Sequence, residues 1–248
     1  MKYVVLPVDA PAASQSPMGR EGVVRRLSFY LAMEEYMARH TDEPDCFFMW
    51  QVKPSVIFGR NQVMQNEVNV DYCREHDIEM YRRKSGGGCV YADESNIMLS
   101  YITKEENSQR AFYTFINMIL LVLHKLGISA TSTSHNDVLI EGKKVSGTAC
   151  YQLHGHNIVH GTLLYDTNMD HMLNAITPSA EKLEAKGIQS VHQRITFLKN
   201  YIDLGIDELK TFLRQTLCDG ELLLKPDDIA AIGKLEQEYL RNEFIQKM

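Results

Sequence analysis

The sequence has few cysteines, and their arrangement excludes the two structures that cysteines usually build. They are odd in number, scattered along the chain and without a Cys-x-x-Cys pair. Neither a disulfide framework nor a zinc site is therefore expected, and a reducing cytoplasm is the expected location. The five cysteines are Cys46, Cys73, Cys89, Cys150 and Cys218.

The chain also lacks an excess of positive charge and any long apolar run. Its formal net charge is -6, whereas binding to nucleic-acid phosphates requires a basic surface. No apolar run approaches the roughly 20 residues that span a membrane, and the N-terminus has no charged segment followed by an apolar core, as a signal peptide would. Nucleic-acid and membrane partners are therefore not expected, and any anion site must be a local basic pocket.

What remains is the composition of an ordinary globular protein. The 248 residues are 44% hydrophobic, which is enough for a substantial core. No internal repeat, low-complexity linker or break in composition divides the chain. We therefore predict one domain over residues 1–248 with a helical C-terminal end.

Hydrophobic periodicity predicts an α+β fold with mixed, largely antiparallel sheets flanked by helices, because several strands follow one another without a helix between them. The predicted strands are 3–6, 46–51, 55–58, 78–82, 96–103, 138–140, 144–151 and 158–165. The predicted helices are 22–40, 70–76, 108–126, 209–217 and 229–244. A hairpin-like connection at Lys53-Pro54 is expected to join the second and third strands.

The run from Arg82 to Tyr91 (Arg-Arg-Lys-Ser-Gly-Gly-Gly-Cys-Val-Tyr) combines consecutive glycines with two arginines. Glycines cost backbone entropy and pack nothing, so a globular protein uses them where the chain bends sharply or approaches a ligand. We predict a strand, a glycine loop and a second strand with both arginines at the mouth, an arrangement that suits a carboxylate or phosphate. A plain hairpin turn is the alternative. The Gly-Lys-Ser/Thr ending of a Walker A loop is missing.

Further polar residues lie on or beside predicted strands. Asn136-Asp137 precedes one strand, and Lys144 is expected to point to the face opposite Val145, where its burial would require an anion. His160-Gly161-Thr162 places a glycine inside an apolar strand, which indicates close approach of a ligand or another backbone. A turn-forming Asn-Asp pair, a solvated lysine and a structural histidine are the alternatives.

In combination, the order and spacing of these residues resemble the lipoate-protein ligase A family, which belongs to a broader group with biotin ligases and octanoyltransferases. Four blocks, which span about residues 25 to 200, carry the resemblance. They are Trp50 with Ile57 to Gln62, Asn66, Glu67 and Asn69; Arg82-Arg83 with Ser85 to Gly88, Val90-Tyr91 and Asp93; Asn136-Asp137 with Lys144 to Gly147 and His160 to Thr162; and Lys186 to Ile188 with Ser190-Val191 and Arg194.

The resemblance implies a biotin/lipoate ligase catalytic-domain fold and an enzyme that uses ATP and Mg2+ to convert lipoate to lipoyl-adenylate. The lipoyl group then passes to a lysine of the lipoyl domain of a 2-oxoacid dehydrogenase E2 subunit or of the glycine cleavage H protein. By motif, the Gly86-Gly87-Gly88 loop and Arg82 would line the lipoate pocket and hold its carboxylate end, and Ser85, His160, Gly161 and Thr162 would complete the pocket. By motif too, Lys144 is the catalytic residue, Asp137 binds the metal, and the nucleotide contacts are Val90, Tyr91, Asn136, Asp137 and Lys144.

Two departures from the family pattern leave the complete reaction open. Ala92-Asp93 stands where the family usually has His-Asp, so one nucleotide or loop contact is expected to be missing. The larger members carry a C-terminal accessory domain, which we expect to be absent from a chain that ends at Met248. Three alternatives follow: a self-sufficient short enzyme, adenylation with a separate accessory-domain protein, and transfer alone.

Two other functions compete with the ligase. A lipoyl or octanoyl transferase that works without ATP through a cysteine acyl-enzyme needs an activated thiol. Cysteine-dependent relatives place this thiol just upstream of the strand that holds the motif lysine. The corresponding segment here, residues 131–136, contains no cysteine. A non-catalytic lipoate-binding protein is the second competitor, suggested by Ala92 and by the expected lack of an accessory domain. A biotin ligase fits the Arg82-Arg83 and Lys144-to-Gly147 blocks less well.

Overall fold

The computed structural model describes residues 1–7, 25–133, 136–176 and 194–246, which form two β-sheets with helices around them. The strands are β1 Lys2–Val5, β2 Asp45–Trp50, β3 Ser55–Phe58, β4 Glu79–Arg82, β5 Val90–Ala92, β6 Asn96–Thr103, β7 Ala130–Ser132, β8 Asp137–Ile140, β9 Lys143–Leu153, β10 His156–Leu164 and β11 Gly220–Leu223. The helices are α1 Leu27–His40, α2 Met64–Glu67, α3 Val70–Glu75, α4 Ser108–Lys125, α5 Met169–Ala175, α6 Ile206–Leu217, α7 Pro226–Tyr239 and α8 Asn242–Ile245, with a 3-10 helix at Leu198–Asn200. The predicted α+β fold with mixed, largely antiparallel sheets is confirmed.

The larger sheet has eight strands in the order β11-β1-β2-β6-β10-β9-β8-β7. β1 runs parallel to β2 and β11, while the other neighbours are antiparallel. Because alternate residues of a strand point to opposite faces, the sheet buries a hydrophobic cluster on each side. One cluster includes Phe115 of α4 and Leu213 of α6, and the other includes Met33 of α1 and Ile232 of α7.

The smaller sheet consists of β4, β3 and β5, with β3 in the middle. β3 pairs in parallel with β4 and antiparallel with β5. The predicted hairpin-like connection at Lys53-Pro54 is therefore wrong. Both edges of β2 are occupied by β1 and β6, so β3 has no edge of β2 to pair with and builds the second sheet instead.

Local sequence signals account for several helix ends. The side chain of Asn107 caps α4 by accepting hydrogen bonds from the backbone N–H groups of Gln109 and Arg110. Gly127 follows this helix with a φ of 79°, a left-handed conformation that favours glycine. The helix predicted over 229–244 is divided into α7 and α8. α1 begins at Leu27, and residues 22–24 of its predicted range lie outside the described residues.

The sequence patterns did not predict α2, α5, β7 or β11. These elements are short, and β11 forms because its residues pair in parallel with β1, a partner more than 200 positions earlier in the chain. Such a long-range pairing leaves no local periodicity in the sequence. Within the described ranges, no helix has both the length and the apolar character needed to cross a membrane.

Candidate active site

A cavity of about 530 Å³ lies between the two sheets. Its walls come from β9 and β10 of the large sheet, from the glycine loop and β5 of the small sheet, and from α5. Most of the predicted site residues line it, namely Gly87, Gly88, Val90, Tyr91, Asn136, Asp137, Lys144, His160, Gly161 and Thr162. The other three, Arg82, Ser85 and Gly86, lie outside its lining.

The cavity runs across the strands of the large sheet. Five residues on five neighbouring strands form a row across the sheet, because each pairs with the next one in the strand register. All five line the cavity: Trp50, Met98, Thr162, Gly147 and Asp137. Neighbouring strands are about 4.8 Å apart, so the row is about 19 Å long. It is apolar at Trp50 and charged at Asp137. This arrangement suits an elongated ligand with an apolar tail and a polar head.

Apolar side chains that were not predicted as site residues complete the wall. They are Leu31, Ile57, Met98, Leu164, Met172, Leu173, Ile176 and Ile195. In a sequence, a hydrophobic residue that lines a cavity looks the same as one that fills a core. Only the structure, in which a cavity lies between the two sheets, shows which hydrophobic residues line it.

A β-bulge brings Lys144 to the charged end of the cavity. The pairing of β8 with β9 changes register so that Val138 faces Ser146 while Leu139 faces Lys144. Val145 is the extra residue, and its side chain is fully buried in the hydrophobic cluster that includes α4. Lys144 lines the cavity on the opposite side, as its alternation with Val145 predicts.

An ion pair and a glycine fix the position of the Lys144 ammonium. Its Nζ lies 2.7 Å from Oδ1 of Asp137. The lysine side chain passes directly over Gly147, where a Cβ atom would lie 2.6 Å from Nζ. Glycine is required there to leave room for the lysine. The third sequence block thus forms one unit, in which Asp137 orients the cation and Gly147 accommodates it.

A second basic residue, Arg194, is connected to Lys144 by a backbone hydrogen bond. The N–H of Lys144 donates to the carbonyl oxygen of Arg194 at 2.6 Å, and the N–H of Thr196 donates to the carbonyl of Lys144 at 2.9 Å. Arg194 also lines the cavity, so the charged end contains Lys144, Arg194 and Asp137. The rest of the fourth sequence block, residues 186–191, lies outside the described residues.

The charged end has the donor set for a magnesium ion that accompanies a nucleotide. Mg2+ is usually held by one or two carboxylates together with phosphate oxygens, and Asp137 supplies one carboxylate here. Among the described residues, no group of three His, Cys, Asp or Glu side chains could hold a metal by itself. Asp137 is the carboxylate among the lining residues that such a cation could contact.

The predicted role of Arg82 requires correction. Arg82 is buried, with 1% of its surface exposed, and it does not line the cavity. Its Nε donates to two carbonyls of α8 and its Nη1 to three carbonyls after β3. The acceptors are the backbone oxygens of Phe244, Ile245, Gly59, Arg60 and Gln62. A guanidinium engaged in this way ties α8 to the segment after β3 and does not hold the carboxylate of a ligand.

Replacing Arg82 with methionine should lower the free energy of unfolding by at least about 2 kcal/mol, because several buried carbonyls would lose their donor. Arg60→Met is the matched control: its side chain is exposed, and its change should stay within about 0.5 kcal/mol. Chemical denaturation measures both. Equal stability of the two variants would contradict the anchoring role.

Arg83 reaches the cavity wall, but protein oxygens satisfy its guanidinium. It donates to the carbonyls of Ile57, Gly86 and Gly88 at 3.0, 2.8 and 2.7 Å. Burial lowers its pKa to about 10, which leaves it charged at neutral pH. The expected anion site between two arginines at the mouth of the loop is therefore replaced by a clamp. This clamp holds the glycine loop against Gly59, where a Cβ atom would lie 2.3 Å from the carbonyl oxygen of Gly87.

The Ala92-Asp93 pair stabilises the fold beside the cavity. Ala92 is fully buried in the hydrophobic cluster that includes α1. The Asp93 carboxylate accepts hydrogen bonds from the backbone N–H groups of Ser95 and Asn168 at 3.0 and 2.9 Å. Burial raises the pKa of Asp93. Neither residue lines the cavity, and the expected loss of one nucleotide or loop contact stays a prediction.

Sequence comparison identifies relatives of this chain. The family model described as "Lipoyl protein ligase A/B catalytic domain" matches residues 27–218. Lipoate-protein ligase LplJ of Bacillus subtilis is 37% identical over 175 residues, which cover 70% of this chain and 53% of that protein. The chain thus spans about half the length of this curated relative.

Solved structures share the fold. A structure of an archaeal lipoylation system from Thermoplasma acidophilum, comprising a bi-partite lipoate protein ligase and its E2 lipoyl domain, matches with a TM-score of 0.81 at 23% identity, over 99% of this chain and 95% of that one. A lipoate-protein ligase A bound with ATP matches with a TM-score of 0.77 at 22% identity, over 88% and 93%. At these identities the similarity shows the fold alone.

Proposed function

This chain belongs to the family of lipoyl protein ligase A/B catalytic domains, and we propose that it is a lipoate-protein ligase. It activates lipoate with ATP and transfers the lipoyl group to a lysine of a lipoyl domain. One observation carries the proposal: the row from Trp50 to Asp137 is apolar at one end and meets Lys144 at the other. Lipoate has the matching form, with an apolar dithiolane and hydrocarbon chain and an anionic carboxylate.

In the first step, a carboxylate oxygen of lipoate attacks the α-phosphorus of ATP, and pyrophosphate leaves with the electron pair of the broken P–O bond. The protein positions the reactants and stabilises the negative charge that develops on the phosphate oxygens. The Lys144 ammonium, oriented by Asp137, is suited to this task as a compact point charge. Arg194 supplies a second positive charge at the same end.

In the second step, the amine of the acceptor lysine attacks the carbonyl carbon of lipoyl-adenylate, and AMP leaves with the electron pair of the broken C–O bond. Lys144 polarises this carbonyl. Val90, Tyr91 and Asn136 form the wall for the nucleotide, and Asp137 is the residue that would hold Mg2+, which neutralises phosphate charge when bound.

The acceptors that we propose are a lysine of the lipoyl domain of E2 subunits and a lysine of the glycine cleavage H protein. A separate accessory-domain protein is a further proposed partner for the adenylation step. We also propose a cytoplasmic location. All five cysteines are free in the structure, which supports a reducing compartment.

A cysteine acyl-enzyme is disfavoured by the state of the thiols near the site. Burial raises the pKa of Cys89 to about 12 and that of Cys150 to about 11, so both are protonated at neutral pH. The double variant Cys89→Ala/Cys150→Ala should therefore retain lipoate transfer within about threefold, since no covalent step depends on either sulfur. Intact mass of a purified lipoyl domain measures the transfer. Complete loss in this folded variant would favour the ATP-independent lipoyl or octanoyl transferase.

The deciding experiment follows lipoate transfer to a purified lipoyl domain by intact mass, with and without ATP and Mg2+. A parallel reaction receives synthetic lipoyl-adenylate. Modification from lipoate and ATP supports a complete ligase, whereas modification only from the adenylate supports a transferase that needs an activating partner. If neither reaction proceeds, lipoate-dependent exchange between ATP and pyrophosphate distinguishes a ligase with another acceptor from a non-catalytic lipoate-binding protein.

A further inference from the structure

A buried chain of hydrogen bonds connects α1 to the glycine loop through His160. Nδ1 of His160 lies 2.9 Å from Oε2 of Glu34, and its Nε2 lies 2.7 Å from Oγ of Ser85. Glu34 and Ser85 are fully buried, and His160 is 6% exposed. One further residue binds each end of this series of hydrogen bonds: Ser100 donates to Oε1 of Glu34 at 2.6 Å, and Nε of Arg83 donates to Oγ of Ser85 at 3.0 Å.

The two ends of the chain determine where its hydrogens lie. The Glu34 carboxylate can only accept, so a neutral His160 directs its one ring hydrogen from Nδ1 to Glu34, while Ser85 Oγ accepts from Arg83 and directs its own hydrogen to Nε2. Nε2 is then an acceptor, and the ring hydrogen sits on Nδ1, where it meets the Glu34 carboxylate. At the other end, Ser100 accepts from Nε1 of Trp50 at 2.9 Å and therefore also directs its hydrogen to Glu34. Glu34 receives two donors, as an ionised carboxylate can.

This pattern resembles the Ser–His–acid connectivity of hydrolases, but the site cannot act as one. Ser85 is fully buried and does not line the cavity, and its hydroxyl oxygen is occupied by Arg83. His160 does line the cavity, yet both of its ring nitrogens are engaged by Glu34 and Ser85. No nitrogen of the ring is left to accept a proton from a ligand. The chain holds parts of the wall in place instead.

We propose that Glu34 is a positioning residue that fixes the tautomer of His160 and, through Ser85, the shape of the glycine loop that binds lipoate. The loop continues from Ser85 into Gly87 and Gly88, which line the cavity. His160 holds the loop from the large sheet, while Arg83 holds it from the small one. This inference rests on the proposed function, because lipoate is the ligand that the loop would contact.

Glu34→Gln tests the proposal with nearly the same side-chain volume. Two donors converge on Glu34, and an amide would place its NH2 group against one of them. Ser100 is held by Trp50, so the amide oxygen should take the place of Oε1, which lies 3.0 Å from Nδ1 of His160, and the NH2 group that of Oε2, which lies 2.9 Å from it. We expect the NH2 group to move the ring hydrogen to Nε2. Ser85 then loses its acceptor. We expect the dissociation constant for lipoate to rise about 10- to 100-fold, as for an unsatisfied buried polar group, while the rate of transfer at saturating lipoate stays within about twofold.

Nitrogen NMR of the full chain, labelled in histidine with 15N, reports the tautomer directly. The wild type should show a protonated Nδ1 and a bare Nε2 for His160, and Glu34→Gln should show the reverse. Glu35→Gln is the matched control, since Glu35 is the adjacent residue of α1 and is also buried, but it pairs with Arg39 and Lys84. It should leave the His160 tautomer unchanged.

Ser85→Ala gives an independent measurement if Glu34→Gln does not fold. It removes the donor to Nε2, and we expect a similar loss of lipoate affinity. In a double variant the two losses should be less than additive, because both act through His160. An unchanged tautomer with unchanged lipoate affinity in Glu34→Gln, or strictly additive losses, would overturn the proposal. Failure of the wild type to bind lipoate would instead refute the proposed function, and the NMR result would still test the tautomer.

Discussion

Lys144→Ala should lower the rates of lipoate adenylation and lipoyl transfer by about 10²- to 10³-fold, as the loss of a group that stabilises transition-state charge does in other enzymes. The ammonium lies at the charged end of the cavity, 2.7 Å from Asp137. Arg194 stays in place in this variant, but a second cation elsewhere does not replace a charge directed at the reacting atoms. Lipoate-dependent exchange between ATP and pyrophosphate measures the first step, and intact mass of the lipoyl domain measures the second.

Lys143→Ala is the matched control for this variant. Lys143 is the preceding residue of β9 and is exposed, so its removal should leave both rates unchanged within about twofold. Both variants should keep the stability of the wild type within about 1 kcal/mol, because a partly exposed ion pair contributes little. A Lys144→Ala protein with near-normal adenylation and transfer would remove Lys144 from the catalytic role.

Gly147→Ala should lower both rates by about 100-fold while the protein stays folded, because displacing a reacting group by about 1 Å has an effect of this size. The new Cβ atom would lie 2.6 Å from Nζ and 2.8 Å from Cε of Lys144. These atoms are the far end of a flexible side chain, so the lysine can move away at little cost in folding energy. It would then leave Asp137 and the position of the ligand carboxylate. Steady-state rates and thermal unfolding of the same sample separate the two effects.

Gly233→Ala provides the comparison for Gly147→Ala. Gly233 lies inside α7, and a Cβ atom there would meet no atom of the described residues within 4 Å. Because alanine is the better helix former, this variant should be more stable by about 0.5–1 kcal/mol and fully active. If Gly147→Ala also kept full activity, the lysine would not depend on the space above that glycine, and the proposed geometry of the charged end would be wrong.

The sequence predicted the residues of the site better than it predicted their roles. Lys144, Asp137 and Gly147 were recognised by spacing, and the structure brings them together. Arg82 was recognised by the same means, but it serves the fold by binding five backbone carbonyls. A motif contains charged residues that bind ligands and charged residues that hold loops, and the sequence does not distinguish the two kinds. The number of protein acceptors around a side chain separates them, and only the structure gives that number.

The same limit explains why Glu34 was not identified. In the sequence it is one of two adjacent glutamates on an amphipathic helix, where charged residues are ordinarily solvated. In the fold both are buried, and each has its own partners: His160 and Ser100 for Glu34, Arg39 and Lys84 for Glu35. Because a buried carboxylate is costly without partners, these contacts distinguish the two glutamates. The partners of Glu34 come from strands more than 60 positions away.

By itself, the sequence determined the fold class, most of the strands and helices, and ten of the residues that line the cavity. These follow from local signals, such as the apolar run within Asn96–Thr103 and the apolar face of the helix Ser108–Lys125, which act between neighbouring residues. Only the tertiary structure decided that β2 and β3 belong to different sheets and that a bulge at Val145 turns Lys144 toward Asp137. It also decided that Arg83 holds the glycine loop, while Arg82 ties α8 to the segment after β3. Each of these depends on contacts between distant segments, where edge occupancy, packing and the demand of buried polar groups for partners outweigh local preference.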